Sequence, residues 1–562
     1  AYLGGSHLSP SDAYRFAKCE EVEVGSTKHR IGRPLDWAAV TDHAEYLGEM
    51  YSTLTPGALG YDHAQLKELR GLRSEEEREK WFIEFVQKPN RGTTPKHAPF
   101  FAGDATTVNG WKVVVDAAKT HYAPGKFTTL AAFEWSAAPQ GANLHRNVFF
   151  RDLNVPERPM SYVDLNNEEG LWDWMGSLEK QGMNVFAIPH NSNASKGRMF
   201  PATDSFGKPL TAEYVKKRNH FEPAIEMMQV KGNSEVHRRF WTADEFANFE
   251  NADSLGDYSG RDLNKFGKVN WVRYGLAKGL HYESKLGTNP FQYGIVGGTD
   301  SHNGTPSDVA ESNFIGSHGV ADGSVQNRRK GEIGGWIKGV DLSPGAVTGV
   351  WAPQNTREAI FDGLKSRETF ATSGPHMKIR FFAQLDKGPT NADYKSMVEQ
   401  GYKNGVPMGG TLNATTAGSP TFSVWAAKEP EGANIDRIQI IKGWVDAKGE
   451  THDKVFDVAW SGNRKLGTNG VLPKVGNTVD LKKASFDNSI GTPELMAQWR
   501  DPEFKANQAA VYYMRVLLIP TPRWTTYDAV RAGLPLLPKV AHTVQERAWS
   551  SPIWYSSKLA SK

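Results

Sequence analysis

Residues 35–43 read Leu-Asp-Trp-Ala-Ala-Val-Thr-Asp-His, an apolar run that ends in a polar cluster containing His43. Three further apolar runs end in the same way: 130–133 before Glu134, 184–188 before His190, and 294–296 before Asp300 and His302. Short apolar runs of this length are typical of buried strands. Because a parallel β/α barrel places its reactive groups at the carboxyl ends of its strands, the pattern predicts an α/β barrel with these side chains at one rim.

His145 is a further candidate, because it stands just before the apolar run 148–150. Imidazole and carboxylate groups together bind first-row divalent metals. A single buried histidine is more often a hydrogen-bonded structural residue, but several at strand ends favour a shared site. The sequence therefore predicts six metal ligands: His43, Glu134, His145, His190, Asp300 and His302. For His237, a position beside this site or on the surface is favoured over metal binding.

Helices alternate with these strands in the first part of the chain. Apolar residues between 171 and 178 recur at helical spacing, and Gly182 can form the left-handed turn before the strand that leads to His190. Ser9 and Ser74 stand before acidic residues, at positions typical of helix N-caps. The order of helix, glycine, strand and polar residue is the repeating module of a β/α barrel.

Beyond residue 378 the pattern changes. Short runs typical of strands lie at 421–426, 435–441 and 511–518, separated by Gly, Pro and Asn, and no cluster of metal-ligating residues accompanies them. We therefore predict two domains: a β/α barrel over 1–378 that carries the metal site, and a β-sandwich-like domain over 379–562.

The C-terminal tail is rich in aromatic residues that need burial, and we expect it to pack back on the barrel. These residues are Trp524, Trp549, Trp554 and Tyr555. The same tail contains Arg523 and Arg547. For both arginines structural ion pairing is favoured, and contact with a substrate anion is the alternative.

Composition narrows the functional class. The 562 residues exceed what one hydrophobic core usually supports, and 66 basic against 63 acidic residues give a net charge of +3. The basic residues are scattered, so we expect a small-molecule substrate and no nucleic acid.

No apolar run is long enough to cross a bilayer, so no integral membrane segment is predicted. Cys19 is the only cysteine and permits no intrachain disulfide, which suits either the cytoplasm or the periplasm. Nothing in the sequence indicates an oligomeric state.

Several motifs resemble the bacterial DUF3604 family. They are Thr-Asp-His-Ala-Glu-Tyr-Leu-Gly-Glu at 41–49, Phe-Glu-Trp at 133–135, Ile-Pro-His-Asn-Ser-Asn at 188–193, Gly-Gly-Thr-Asp-Ser-His at 297–302 and Arg-Glu-Thr-Phe-Ala-Thr-Ser-Gly-Pro at 367–375. The resemblance extends to Pro-Thr-Pro-Arg-Trp at 520–524 and Gln-Glu-Arg-Ala-Trp at 545–549. That family is similar to the polymerase and histidinol phosphatase (PHP) superfamily of metal-dependent hydrolases, which implies a PHP-like distorted β/α barrel.

The resemblance also implies a reaction, namely hydrolysis by a metal-activated water. Glu134 would bridge two metal ions and act with His43 and Asp300 in catalysis, and the six ligands would hold two or three Zn, Mn or Fe ions. Asp42 and Asn191 would orient the imidazoles. Phosphoester cleavage is the superfamily's default. Carboxylic ester, amide, sulfate and phosphonate cleavage stay open, because the sequence has no glycine-rich phosphate loop.

The N-terminus departs from the PHP pattern. PHP-like proteins begin with a His-x-His pair that completes the metal site, whereas this sequence begins Ala1-Tyr2-Leu3 and residues 8–16 resemble the stretch after that pair. We expect the first strand to lie upstream of Ala1. The alternative is a catalytically degenerate binding or assembly protein. The mature-like start and the family's frequent export favour a periplasmic or secreted location, with the cytoplasm as the alternative.

Overall fold

The structure is a computed structural model that describes residues 6–24, 27–90, 94–258, 266–306, 309–333, 337–385, 393–413, 418–468 and 470–557. These residues form a mixed α/β fold. The helices of eight or more residues are Pro10–Ala17, Leu47–Leu54, Ala64–Gly71, Glu75–Phe82, Asp104–Thr120, Glu168–Lys180, Ala212–Phe221, Val272–Leu286, Arg357–Lys365, Tyr394–Asn404 and Trp524–Arg531. None of the described helices is long and apolar enough to span a membrane.

Strands of four or more residues divide between the two parts of the chain. The first part contains Trp37–Val40, Thr128–Trp135, Arg146–Phe150, Val185–Pro189, Ala224–Gln229, Gly294–Gly297, Val347–Val350 and Thr369–Thr372. The second part contains Lys378–Leu385, Pro420–Ala427, Ile435–Val445, Thr451–Trp460, Glu494–Arg500, Ala510–Leu518, Arg547–Ser550 and Ile553–Ser556. The three strand runs predicted beyond residue 378 are therefore confirmed as strands.

Local sequence signals explain where several helices begin. Ser9 caps the helix Pro10–Ala17 by accepting the Asp12 amide, and the Asp12 carboxylate accepts the Ser9 amide in return. Ser74 and Glu77 form the same reciprocal pair at the next predicted cap. Gly182 has φ +86, the left-handed conformation expected before the strand Val185–Pro189.

Two sheets carry the predicted site residues. The first contains four strands in the order Trp37–Val40, Thr128–Trp135, Arg146–Phe150 and Val185–Pro189. Its first two strands are parallel, whereas Arg146–Phe150 runs antiparallel to both of its neighbours. In the second sheet Ala224–Gln229 and Gly294–Gly297 are parallel.

The hydrogen-bonded strands in the described part of the chain do not form the closed barrel that the sequence predicts. They form open sheets, and only the mixed α/β class is confirmed. Side chains occupy the other edge of the strand Gly294–Gly297, where the Ile295 amide donates to Ser551 Oγ (2.7 Å) and the Gly297 amide to Thr348 Oγ1 (2.9 Å). These bonds take the place of a backbone ladder that would extend the sheet.

The second part of the chain contains a four-stranded sheet and six strands of an eight-stranded sheet, whose other two strands are Val347–Val350 and Thr369–Thr372. Apolar side chains from both sheets, including Phe381, Phe422 and Met514, form one buried cluster between them. The strand Thr369–Thr372, which precedes residue 378, pairs antiparallel with Arg547–Ser550 in the larger sheet. The two parts of the chain are therefore joined by a continuous ladder of backbone hydrogen bonds.

The C-terminal tail contacts the first part of the chain through buried groups. Trp549 Nε1 donates to Glu235 Oε2 (2.7 Å), and Trp524 Nε1 donates to the Leu342 carbonyl (2.9 Å). Arg515 forms ion pairs with Glu235 (3.2 Å) and Asp244 (2.8 Å) in the same buried region. Hydrogen bonds from Trp524 and Trp549 thus hold the tail against the site-bearing part of the chain, and the ion pairs of Arg515 hold the strand Ala510–Leu518 there.

Candidate metal centre

Four strands place the predicted ligands at one edge of the fold. His43 follows Trp37–Val40 and forms a parallel bridge with Glu134, which lies near the carboxyl end of Thr128–Trp135. His190 directly follows Val185–Pro189. Asp300 and His302 lie just beyond Gly294–Gly297. The carboxyl ends of these strands meet, as the sequence pattern predicts.

His145 reaches the same edge by a different route, because it precedes its strand. Arg146–Phe150 runs antiparallel between two strands of opposite direction, so its amino end lies beside their carboxyl ends. The register places Arg146 opposite Trp135 and Pro189. A residue just before an antiparallel strand can therefore join residues that follow the neighbouring strands.

Glu134 is the centre of the cluster. Its Oε1 lies 2.6 Å from His145 Nδ1, 3.4 Å from His43 Nδ1 and 3.5 Å from His190 Nε2. Ser136 Oγ donates to the same carboxylate oxygen at 2.9 Å. Three of the predicted histidines thus surround one buried carboxylate.

Hydrogen bonds define the proton positions on His43 and His302. Because Ser136 Oγ donates to Glu134, it accepts the bond from His43 Nδ1 at 2.5 Å. His302 Nδ1 donates to the Asp300 backbone carbonyl at 2.8 Å, since a carbonyl can only accept. The Nε2 atoms of the two rings, which face each other at 3.5 Å, are therefore both left as acceptors in the neutral imidazoles.

Asp300 is held by two side chains that the sequence analysis did not identify. Lys231 Nζ forms a partly buried ion pair with Asp300 Oδ2, and Gln229 Nε2 donates to the same oxygen at 2.8 Å. Asp300 has φ +53, a left-handed conformation that an aspartate adopts more readily than most residues. All six predicted ligands thus belong to one connected cluster.

A cavity of about 290 Å³ opens onto this cluster. His43, Glu134, Asp300 and His302 line it. His145 and His190 lie behind Glu134 and are buried. Glu226 also lines the cavity, although it was not predicted. In the sequence, Glu226 is a single acidic residue inside the otherwise apolar strand Ala224–Gln229, which is the same pattern as at Glu134.

Electrostatics keep Glu134 ionised and two of the imidazoles neutral. Burial raises the pKa of Glu134, but His43, His190 and His145 outweigh it and hold that pKa well below 4.5. Burial lowers the pKa of His145 to about 4 and also lowers that of His190. Neutral imidazoles and an ionised carboxylate are the protonation states that bind metal ions.

The charges on the cavity wall differ from those at Glu134. Burial, reinforced by the Asp300 charge, raises the pKa of Glu226 well above 4.5. Burial opposes ionisation of Asp300, but Lys231 lowers its pKa. For His43, burial lowers the pKa and the Glu134 carboxylate more than reverses this effect. The wall therefore combines anionic, cationic and neutral polar groups within one small space.

The donor set fits a divalent metal ion. One ligand atom from each of Glu134, His145 and His190 lies within 4.8 Å of the other two. His145 Nε2 and both ring nitrogens of His190 are buried without a hydrogen-bond partner among the described residues. A tetrahedral ion bound at about 2.1 Å would hold its ligand atoms about 3.4 Å apart. Buried nitrogens of this kind are costly unless something coordinates or protonates them.

Four side chains outside the set of six ligands also had predicted roles, and the structure shows their surroundings. Among the described residues, Asn191 bonds to Asn143 and Asn193 (both 2.5 Å) and not to an imidazole, and Asp42 Oδ2 is buried without a partner. Ser136 and the Asp300 carbonyl orient the rings instead. His237 pairs with Asp253 (3.0 Å), and Arg523 pairs with Glu250 (2.7 Å). Arg523 thus forms the structural ion pair that the sequence analysis favoured, whereas His237 is buried against Phe266 and Trp271, so a surface position for it is wrong.

Comparison with known proteins identifies the family. A family model described as "Protein of unknown function (DUF3604)" matches residues 1–557. No curated protein matches this sequence, and no solved structure matches it. The resemblance to DUF3604 is therefore confirmed over almost the full length, and the site has to be interpreted from its own chemistry.

Proposed function

We propose that this chain, which belongs to the DUF3604 family, is a metal-dependent hydrolase that acts on an ester-type substrate. The observation that carries the proposal is the pair of Nε2 atoms of His43 and His302. They face each other at 3.5 Å, and in the neutral imidazoles both lack a proton. Either a metal ion, or a proton on His43, whose pKa burial lowers but Glu134 raises overall, therefore has to lie between them. Two such lone pairs repel each other unless a cation lies near both. The buried nitrogens of His145 and His190 beside Glu134 support the same conclusion.

Two groups of ligands are proposed. Glu134, His145 and His190 would hold one ion, and His43, His302 and Asp300 would contribute to a second, with Glu134 shared. Zn, Mn or Fe suits this mixture of imidazole and carboxylate better than Mg. When bound, a divalent cation lowers the pKa of a water molecule and stabilises negative charge on a substrate oxygen.

The chain's own residues would prepare the site for this chemistry. Ser136 fixes the His43 ring, and the Asp300 carbonyl fixes the His302 ring, so that both Nε2 atoms point to one space. Lys231 orients the Asp300 carboxylate and adds positive charge near an anionic substrate group. The cavity volume of about 290 Å³ suits a small substrate or one end of a larger one. Phosphoesters are the first substrates to test, followed by carboxylic esters, sulfates, amides and phosphonates.

The proposed fold is a PHP-like, distorted β/α barrel joined to a β-sandwich-like domain. Two observations support it: the ligands lie at one edge of two neighbouring sheets, and Ser551 from the C-terminal part bonds to the edge of the strand Gly294–Gly297. The antiparallel strand Arg146–Phe150 would be one source of the distortion.

A second candidate is a non-catalytic binding protein, and Lys231 is the observation that favours it. Its ammonium group neutralises Asp300 without any metal ion, as expected of a site in which one ligand has been taken over by a structural ion pair. In this case the cavity would bind a small molecule without cleaving it.

The experiment that tests both candidates is elemental analysis followed by an activity screen. The full chain would be produced with Zn, Mn or Fe, its bound metal counted by mass spectrometry, and its activity measured on aryl phosphoesters, carboxylic esters, sulfates and amides. Glu134→Gln is the matched variant, and Lys482→Ala on the exposed surface is the control. Metal and hydrolysis that both depend on Glu134 support the hydrolase. Absence of both bound metal and hydrolysis favours the binding protein and overturns the metal site, whereas bound metal without hydrolysis overturns only the hydrolase.

A further inference from the structure

A second cavity lies on another part of the molecule. Its volume is about 730 Å³, and it is lined by the segment around residues 245–253 and by C-terminal residues that include Arg523 and Arg547. No residue lines both this cavity and the one at the candidate metal centre. Whatever binds here would therefore be recognised by different side chains.

Arg547 is the distinctive residue of this wall. It is 3% exposed, its Nη1 donates to the Phe246 carbonyl at 3.0 Å, and its guanidinium stacks on the Phe249 ring at 3.7 Å. Among the described residues, its Nη2 makes no hydrogen bond and no carboxylate lies within ion-pair distance. A buried arginine without a counterion is costly, since guanidinium groups stay charged in proteins.

The neighbouring arginines, Arg523 and Arg515, are each paired with a carboxylate. Nε and Nη2 of Arg523 each donate a hydrogen bond of 2.7 Å to the Glu250 carboxylate. Arg515 pairs with Asp244 and Glu235. Burial and the nearby Arg515 charge lower the pKa of Arg547 to about 9, whereas the pKa of Arg523, which burial alone would lower, is raised by Glu250. Of these three arginines, Arg547 is the one whose charge is not balanced by an adjacent carboxylate.

The acidic side chains of the cavity wall are already engaged. Glu250 is bound by Arg523, Asp253 by Arg238 and His237, and Asp436 by Arg437 and Arg464. Asp341 accepts the Ser254 amide at 2.9 Å, and Glu245 lies 3.8 Å from Arg437. Two exposed lysines, Lys474 and Lys539, also line the cavity and form no ion pair with the described residues. Six basic and five acidic side chains line the cavity, so a net positive charge remains. Among the described residues, Arg547, Lys474 and Lys539 are the lining cations without a carboxylate partner, and Asp341 is the lining carboxylate without a cation partner.

We propose that this cavity binds a small organic anion, which carries a carboxylate, phosphate or sulfate group against Arg547, with Lys474 and Lys539 at the entrance. A guanidinium group offers parallel N–H donors to two oxygens of such a group, and Nη2 of Arg547 is available for this role. The volume of about 730 Å³ matches ligands of metabolite size. An oxyanion on Arg547 would supply the counterion that the protein lacks at this position.

The proposal does not depend on the metal centre, and the test removes that centre first. Calorimetric titrations would use the full chain carrying Glu134→Gln, so that no metal ion at the candidate metal site can hold an anion, and the localising variants below distinguish the two cavities. The probes are sodium phosphate, sodium sulfate and sodium glucuronate, with glucose as the neutral control. We expect at least one of the three anions to bind and glucose not to bind. If none of the anions binds, or if glucose binds as tightly as glucuronate, the proposal is wrong.

Three changes localise the binding. Ala541→Trp fills the cavity entrance and keeps every charge, and Lys474→Ala with Lys539→Asn removes both lysines. Asparagine is chosen at 539 because this residue has φ +65, which asparagine tolerates. Each of these two changes should weaken anion binding about tenfold or more, whereas Lys482→Ala should not. Arg547→Gln should abolish binding, with its folding checked by circular dichroism. Anion affinity that stays unchanged in both the Ala541→Trp and the double lysine variant overturns the proposal.

Discussion

The Nε2 atoms of His43 and His302 lie 3.5 Å apart, and the hydrogen bonds on the opposite ring nitrogens leave both without a proton in their neutral forms. The two residues are 259 positions apart in the sequence and follow strands of two different sheets. A close approach of two acceptors from distant parts of the chain is unfavourable by itself. A shared cation turns the same contact into a stabilising one, which is why this pair is the most direct test of the metal centre.

His43→Gln and His302→Gln should each lower the affinity for divalent metal by at least the ~10–100-fold typical of changes to groups around a metal site. Glutamine keeps the polarity and approximate size of the ring but does not coordinate as imidazole does. Dialysis followed by elemental analysis measures the effect. His452→Gln is the matched control, because His452 is exposed and pairs with Asp446 far from the cluster in sequence. Equal metal loss in the control would show that the site is elsewhere.

Lys231→Met should change stability and metal binding in opposite directions. Removing the ammonium leaves the buried Asp300 carboxylate with only the Gln229 bond, which should lower the free energy of unfolding of the metal-free chain by about 3–5 kcal/mol. A cation can then compensate Asp300 without competition from Lys231, so metal affinity should rise.

Urea unfolding with and without added Zn measures both effects of Lys231→Met. The added metal should restore a larger part of the stability in the variant than in the unmodified chain. A folded Lys231→Met variant that binds metal more weakly would show instead that the lysine supports the metal site.

The sequence predicted the candidate ligands because each follows from local pattern. An apolar run followed by His, Glu or Asp marks the end of a strand, and parallel neighbours bring such ends together, as for His43 and His190. The predicted N-caps at Ser9 and Ser74 are likewise local, since each involves a contact three residues along the chain.

The parts that the sequence did not predict depend on long-range pairing. Nothing near residue 146 indicates that Arg146–Phe150 runs antiparallel, and that direction alone brings His145 to the edge shared with Glu134. Lys231 was missed because a lysine after a strand is usually solvated, and its partner Asp300 is 69 residues away. Along Gly294–Gly297 the hydroxyl groups of Thr348 and Ser551 accept hydrogen bonds from backbone amides that a further strand would otherwise pair, and these contacts join residues 51 and 256 positions apart.

Asp244→Asn should strongly destabilise the contact between the strand Ala510–Leu518 and the first part of the chain. Asp244 accepts bonds from both Arg273 (2.8 Å) and Arg515 (2.8 Å) in a buried setting, and the amide would leave their charges undercompensated. We expect the free energy of unfolding to fall by about 3–5 kcal/mol, measured by urea denaturation. Asp173→Asn, which breaks the exposed pair with Lys217, should cost at most about 1 kcal/mol. Similar losses in the two variants would contradict a structural role for the buried pair.

Glu546 should make the chain less stable as the pH rises. Burial raises its pKa to about 8, against 4.5 for an ordinary glutamate, although Ser373 donates a hydrogen bond to it. Between these two values the folded chain holds a proton that the unfolded chain releases. The free energy of unfolding therefore falls through this window, by up to about 1.4 kcal/mol per pH unit from this group. Below pH 4.5 Glu546 is protonated in both the folded and the unfolded chain, so its full contribution to the free energy of unfolding is present.

Glu546→Gln isolates this effect, because a glutamine has no proton to lose and fills nearly the same space. Urea unfolding at pH 5.5 and pH 8 should show a smaller loss of stability in the variant than in the unmodified chain. Every other titrating group is common to both proteins, so the difference between their two losses reports Glu546 and the groups it couples to, chiefly Glu250 and Glu311. A loss of equal size in the variant would show that Glu546 ionises in the folded chain at its ordinary pKa, and that the buried carboxyl is better compensated by Arg523 and Arg547 than the geometry indicates.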